Sequence, residues 1–550
     1  MPIVRTLPEA LADAARTDAG YCFVSGNVER WRAYADIRSA ALGVARALTA
    51  AGLRRGDLVA ILLADAEPFL TTLLGASIAG TTPASMYPPA TGDARDLQLT
   101  VAILAASQAR AVVTTRACAP AFEAFRDRCP SLDLVLCRED LDAPASEPLA
   151  MPAPGDVAFV QFTSGSTSSP KGVTLTHANL SANIEAFRGP SGVASGPDDV
   201  AVSWLPLNHD MGLVGMALGA LYVARPCVLL QPQAFVKRPA EWLHAISRHR
   251  GTISFAPNFA YDLCVRRVKD VSDLDLSSWR VAGCGAEPIH PPTLAAFAEK
   301  FAPAGFRDTS FLPCYGLAEH VLAATFPPRG RRPRTETLSA DDLTGRRLAV
   351  PHRGDGPSVS LVSCGSALPG HEIRIVGDNG QPLGDRCVGE IVLAGPSVML
   401  SYYKQAALTA ETVRGGWLYT GDLGYLSGGE LFVCGRAKDL IIVHGRKYHP
   451  QDLEWAVDGL AGVRRGRVVA FGSVEHGRAD RVVIVVEPNG TVAPGLLADT
   501  IRRRISDLFA LYVDEVALVP SGTVGRTTSG KVQRSATKAR YERGELGGTA

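Results

Sequence analysis

The stretch FVQFTSGSTSSPKG, residues 159–172, holds the densest set of chemically useful side chains in the chain. An apolar run enters a segment of hydroxyls and small residues, and a second apolar run leaves it after one lysine. Small residues, Gly165 above all, let the backbone approach an anion closely. The hydroxyls of Thr163, Ser164, Ser166 and Thr167 are donors, and Lys171 adds a point charge. This is phosphate-binding chemistry. It is not a Walker A loop, because Pro170 precedes the lysine where that loop needs glycine, and Gly172 follows it where that loop needs Ser or Thr. A serine-rich surface loop has the same composition, so the reading depends on what accompanies it.

Five further segments accompany it, in this order: GCGAEP (283–288), PCYGLAE (313–319), YTGD (419–422), GRAKDL (435–440) and TTSGK (527–531). With the serine-rich loop they resemble the adenylate-forming superfamily of acyl- and aryl-CoA synthetases, luciferases and adenylation domains, over essentially the whole chain. The resemblance implies that ATP activates a carboxylate by attack on its α-phosphorus, with pyrophosphate leaving. Catalysis of that step is mostly positioning and neutralisation of developing charge. It also implies roles. Gly285, Ala286 and Glu287 form the adenine-side loop, and Tyr315, followed by Gly316, stacks on adenine. Asp422 accepts from the ribose hydroxyls, and Arg436 contacts ribose or phosphate. Glu319 and Thr167 hold Mg²⁺, Lys171 assists in the phosphate loop, and Lys438 is the hinge between two domain arrangements. Lys531 bridges carboxylate and α-phosphate.

Within that superfamily the chain is most similar to fatty acyl-AMP ligases, which pass the acyl group to the phosphopantetheine thiol of an acyl carrier protein. The matching residues are MYPP (86–89), LPLNHDMG (205–212), LVSCG (361–365), PSV (396–398) and PQDLE (450–454). By the same resemblance His209 and Asp210 lie near the substrate carboxylate, and the arginine-rich stretch 327–357 falls where that family carries an insertion disfavouring coenzyme A. The implied partners are a fatty acid, ATP and a separate carrier protein. A fatty acyl-CoA ligase of the same fold stays open as an alternative, as does a non-catalytic acyl-nucleotide-binding protein.

The elements that must position these residues follow from composition and rhythm. A chain of 550 residues exceeds one hydrophobic core. Strand-like runs such as LVAILLAD, ARPCVLLQ and TISFAPNF alternate with helix-sized segments, which predicts an α/β fold with doubly wound, mixed or parallel sheets. A glycine–arginine turn near 435 then opens a small mobile α+β unit. We expect an N-terminal domain over 1–434 and a C-terminal domain over 435–550. Proline, glycine and charge make 327–357 an exposed insertion.

The 56 basic and 55 acidic residues give a net charge of +1, so no electrostatic footprint for nucleic acid is expected. The most apolar stretch, 212–224, is too short to span a bilayer, and its Gly215-x-x-x-Gly219 spacing reads as close helix packing. Eleven scattered cysteines without a C-x-x-C pair argue against a zinc cluster or a disulfide framework, and a cytoplasmic protein is expected. The clusters Arg464–Arg465–Arg467 and Arg502–Arg504 are candidate carrier-docking surfaces.

Overall fold

The computed structural model describes residues 4–89, 94–143, 151–163, 171–354, 356–443, 446–473, 481–526 and 532–547. The expected α/β architecture is present: two seven-stranded sheets dominate. In one, Phe311–Pro313, Val281–Cys284, Ile253–Ala256, Ala201–Ser203, Cys227–Leu230 and Gly20–Ser25 run parallel, and Val28–Ala33 closes the edge antiparallel. In the other, Val157–Thr163, Thr82–Ser85, Leu58–Ile61, Ala111–Thr114 and Leu134–Cys137 are parallel, while Lys171–Thr176 and Ser401–Tyr402 add antiparallel strands. The central strands read as continuous apolar runs because helices cover both faces. Helix Ala66–Ile78, for example, buries ten of its thirteen residues.

A five-stranded antiparallel sheet, with Trp417–Ser427 at its centre, completes the larger part of the chain. Its strand Glu430–Arg436 pairs Asp422 with Arg436, so the ladder runs two residues past the expected boundary at 434. Beyond it, a separate core gathers Ile441, Leu453, Val468, Ile484, Ile501 and Leu518 around the sheet of Val463–Ser473, Arg481–Pro488 and Glu515–Leu518.

One expectation needs correction, and a second gains a detail. The 327–357 stretch is not simply exposed. Thr335–Ser339 and Ser358–Val362 pair as a hairpin, and Leu338, Leu343 and Ala349 pack with Leu361 onto Tyr425 and Phe432. Its charge is also internally used: Glu336 accepts from Arg334, Arg386 and the Tyr425 hydroxyl. The apolar residues are spaced too widely among arginines and aspartates to register as a core face. As the spacing predicts, Gly215 and Gly219 sit where little room exists, Gly215 against Leu322 and Gly219 against Phe187. However, Met211–Leu218 is a π-helix, a form that concentrates at functional sites, rather than an ordinary helix.

Candidate active site

Asp422 leaves the central strand of the antiparallel sheet buried, and two residues brought from elsewhere meet its carboxylate. The Tyr315 hydroxyl donates to Oδ2 at 2.8 Å, and Arg436 Nε donates to Oδ1 at 2.9 Å. Strand pairing of Asp422 with Arg436 makes the second contact local, whereas Tyr315 comes from 107 residues away. Asp422 holds the Arg436 guanidinium above its ordinary pKa, while burial, then Asp422, pushes the Tyr315 phenol well up. A carboxylate held by a cation and a phenol is a fixed acceptor, suited to a diol or another neutral donor.

Beside it lies a second carboxylate. Glu319 Oε1 accepts from the Tyr402 hydroxyl at 2.8 Å, and Lys171 Nζ sits 5.0 Å from the Tyr402 ring centroid. Val173 and Tyr402 are strand partners, which brings the lysine and the tyrosine together. Sequence reading missed Tyr402, since nothing in SYYK marks either tyrosine as a Glu319 partner. Lys438 lies in the turn Ala437–Asp439 near both groups. Burial, then Arg436 and Lys171, lowers its pKa, with Asp422 opposing. Cations and carboxylates therefore interleave at one place, as a polyphosphate with a hard metal requires.

The backbone beside Glu319 is held under strain. Val321 adopts φ +64° and ψ −59°, and the Leu322 N–H donates to His320 O at 2.7 Å, a γ-turn that β-branched residues avoid. Fully buried Asn183 pins it, donating to Ala323 O at 2.8 Å and accepting the Ala323 N–H at 3.1 Å. The Met399 N–H holds Glu319 O at 2.9 Å.

The adenine-side expectation separates into two parts. Gly285 lies so near Cys314 that a Cβ would come within 2.7 Å of its sulfur, and Ala286 takes φ +67°, so the backbone turns sharply here. Glu287, by contrast, is committed to the fold: its Oε1 accepts the Phe259 N–H at 2.6 Å in the first turn of helix Asn258–Arg267. Gly316 pairs with Ala323 next to Tyr315.

His209 and Asp210 lie immediately before the π-helix. His209 Nδ1 is 2.7 Å from Asp210 Oδ1, which also accepts the Met211 N–H. Two buried side chains not singled out from sequence, Gln161 and Ser85, donate to the carbonyls of Asn208 and Leu207. Thr163 pairs through its backbone with Lys171. Its side chain, and Ser164, Gly165, Ser166, Thr167 and Lys531, lie outside the described residues.

Among the described residues, one group of three potential metal donors occurs, Cys22, Glu29 and His249, on other elements. Arg248 already pairs with Glu29, so this cluster is an ion-pair network at a sheet edge. All eleven cysteines are free thiols, and no described helix is long and apolar enough to cross a membrane.

The family model for AMP-binding enzymes matches residues 11–403. The chain belongs to the AMP-binding enzyme family. Among family relatives, a Caulobacter vibrioides protein provisionally named an acyl-CoA synthetase is 38% identical over 98% of this chain and 96% of its own. The medium-chain-fatty-acid–[acyl-carrier-protein] ligase JamA of Moorena producens is 38% identical over 71% of this chain and 68% of its own. A solved structure from a study of fatty acyl-adenylate ligases of E. coli and L. pneumophila superimposes with a TM-score of 0.92, at 35% identity and 98% coverage of both chains.

One test of the site concerns Asp422. In Asp422→Ala, the KM for ATP should rise about 10- to 100-fold, the worth of one or two charge-assisted hydrogen bonds. The KM for the carboxylic acid should stay within about twofold in the same pyrophosphate-release assay. An unchanged ATP KM removes Asp422 from the nucleotide site.

Proposed function

We propose that this chain is a fatty acyl-AMP ligase, which joins a fatty acid to AMP from ATP and then transfers the acyl group to a carrier-protein thiol. The observation that carries the reading is the meeting of Tyr315, Asp422 and Arg436 with Glu319, Tyr402 and Lys171, in a chain whose fold matches fatty acyl-adenylate ligases throughout. Asp422 takes the ribose hydroxyls, and the Tyr315 ring lies along the base. Lys171 and Arg436 balance phosphate charge as pyrophosphate leaves.

The residues fit Mg²⁺. Glu319 offers a hard carboxylate oriented through one oxygen by Tyr402, with cations close enough to share a polyphosphate. Glu319 and Thr167 would hold the ion, which neutralises charge on the phosphates when bound. His209, oriented through Nδ1 by Asp210, faces the acid at the head of the apolar π-helix. The boundary between the two units falls within 437–440, at Lys438, and a cytoplasmic setting suits free thiols and an ATP-dependent reaction.

The acceptor is a carrier protein, as the name of the Moorena relative says of that enzyme. A seam supports this choice. Ala340, Leu343 and Thr344 of the insertion face Tyr448, His449, Leu453 and Phe509 across a cavity of about 20 Å³, room for little more than one water. Burial lowers His449 to about 4, so the seam keeps it neutral. The insertion thus braces the C-terminal unit in the arrangement seen here.

The experiment is a mass-spectrometric product assay with ATP, Mg²⁺, coenzyme A and fatty acids of graded length. Accumulating acyl-AMP with little acyl-CoA is the expected result. Efficient acyl-CoA formation makes the chain a coenzyme A ligase, and absence of both products overturns the reading.

A further inference from the structure

Glu487 closes the strand Arg481–Pro488 with no exposed surface, an expensive place for a carboxylate. What it holds is a single short stretch of backbone. Oε1 accepts the N–H groups of Gly522 and Val524, both at 2.9 Å. Oε2 makes no hydrogen bond, and the guanidinium groups of Arg464 and Arg467 lie 3.7 and 3.9 Å from it.

The same stretch is held from its other side. Arg467 Nη1 donates to Val524 O at 2.7 Å, Arg540 Nη1 to Thr523 O at 2.8 Å, and Arg526 Nε to Gly466 O at 3.2 Å. Arg464 and Arg467 lie within an irregularity in the pairing of strand Val463–Ser473, between Val463 and Val468, and both face Glu487. Val524 is itself fully buried, in a small cluster with Phe471 and Val485. Arg526 then reaches the larger domain, 5.6 Å from the Phe259 ring centroid, where Glu287 also bonds the Phe259 N–H.

We propose that Glu487 is a positioning residue for the adenylation step. Its carboxylate fixes the 520–526 stem from which Lys531 is presented to the reacting phosphate. This rests on the ligase reading above and on the role assigned there to Lys531. Lys531 follows this stem by five residues in the chain, and a group that stabilises developing charge must be held to sub-ångström tolerance. A buried anion bonding the N–H groups of both Gly522 and Val524 fixes the start of that segment. The arrangement also reassigns Arg464 and Arg467. They balance Glu487, which leaves Arg465 and Arg502–Arg504 as the cations for carrier docking.

The test separates the two half-reactions. In Glu487→Gln the shape persists but the charge facing both arginines is lost. The kcat for acyl-AMP formation should fall about tenfold, while the KM values for ATP and fatty acid stay within about twofold. Transfer from chemically supplied acyl-AMP to the carrier should be unchanged. Amide hydrogen exchange at 520–526 should accelerate locally. Arg467→Met, at a partly exposed position, should show the same split more weakly and guards against misfolding of the first variant. Equal losses in both half-reactions assign Glu487 a purely structural role and overturn the proposal. So does an unchanged adenylation kcat in a wild-type-active background. If the wild-type chain makes no acyl-AMP, the ligase reading falls first and this proposal with it.

Discussion

Lys531→Ala should lower the rate of acyl-AMP formation by about 10²- to 10³-fold, the cost of removing one preorganised group from developing charge. Its effect on transfer from supplied acyl-AMP should stay within about threefold. The asymmetry follows from where charge appears. Attack of the carboxylate on the α-phosphorus brings two anions together, and a compact ammonium between them relieves the repulsion only at that step. In transfer, AMP leaves from a carbonyl carbon attacked by a thiol, so no second anion has to approach the α-phosphorus. The described flanks agree with a lysine delivered to the nucleotide. Arg526 and Val532 pair with each other, and Arg526 packs on Phe259 beside the adenine-side turn. Single-turnover pyrophosphate release and acyl transfer, measured separately, decide it. Equal loss in both steps would make Lys531 a folding residue, and no loss would move the adenylation cation elsewhere, with Lys438 and Lys171 the next to test.

Several members of this candidate site are legible in the sequence, because short motifs with fixed residue types mark them wherever the fold places them. PCYGLAE and YTGD name Tyr315, Glu319 and Asp422 directly. They do not say that Tyr315 and Asp422 bond each other, since strand order decides that contact. The partners that hold the motif residues were invisible for a different reason. Tyr402, Asn183, Gln161 and Ser85 act through one hydrogen bond each or through backbone carbonyls, and such bonds leave no spacing rule in sequence. Glu287 shows the converse: it stands in a recognisable loop, yet its carboxylate bolts a helix start. The insertion misled because charge density hid its few apolar residues, and because Glu336 turns three of its neighbours' polar groups inward. Tyr448 and His449 line the seam with that insertion, so residues about a hundred positions apart in the chain belong to one contact, which no local spacing announces.

That contact yields the second large effect. Joining Thr337 to Ser360 through an Asn-Gly turn removes the insertion's inner loop but keeps Glu336 on Arg386 and Tyr425. In this variant acyl-CoA formation should rise at least about tenfold, with adenylation kcat within about threefold. The reasoning is a population argument. The seam joins the insertion to the C-terminal unit in the arrangement seen here, so it stabilises that arrangement over any in which the two part. A contact worth roughly 1.4 kcal/mol shifts such a balance tenfold. Because Leu343 and Ala349 leave with the loop, Tyr425 and Phe432 gain exposure and the melting temperature should fall, so retained adenylation is the necessary control. If acyl-CoA stays absent in an enzyme that adenylates normally, the insertion does not select the acceptor. Discrimination must then lie in how the larger domain receives the pantetheine arm, whose two sources, carrier protein and coenzyme A, share the same thiol but differ in what surrounds it.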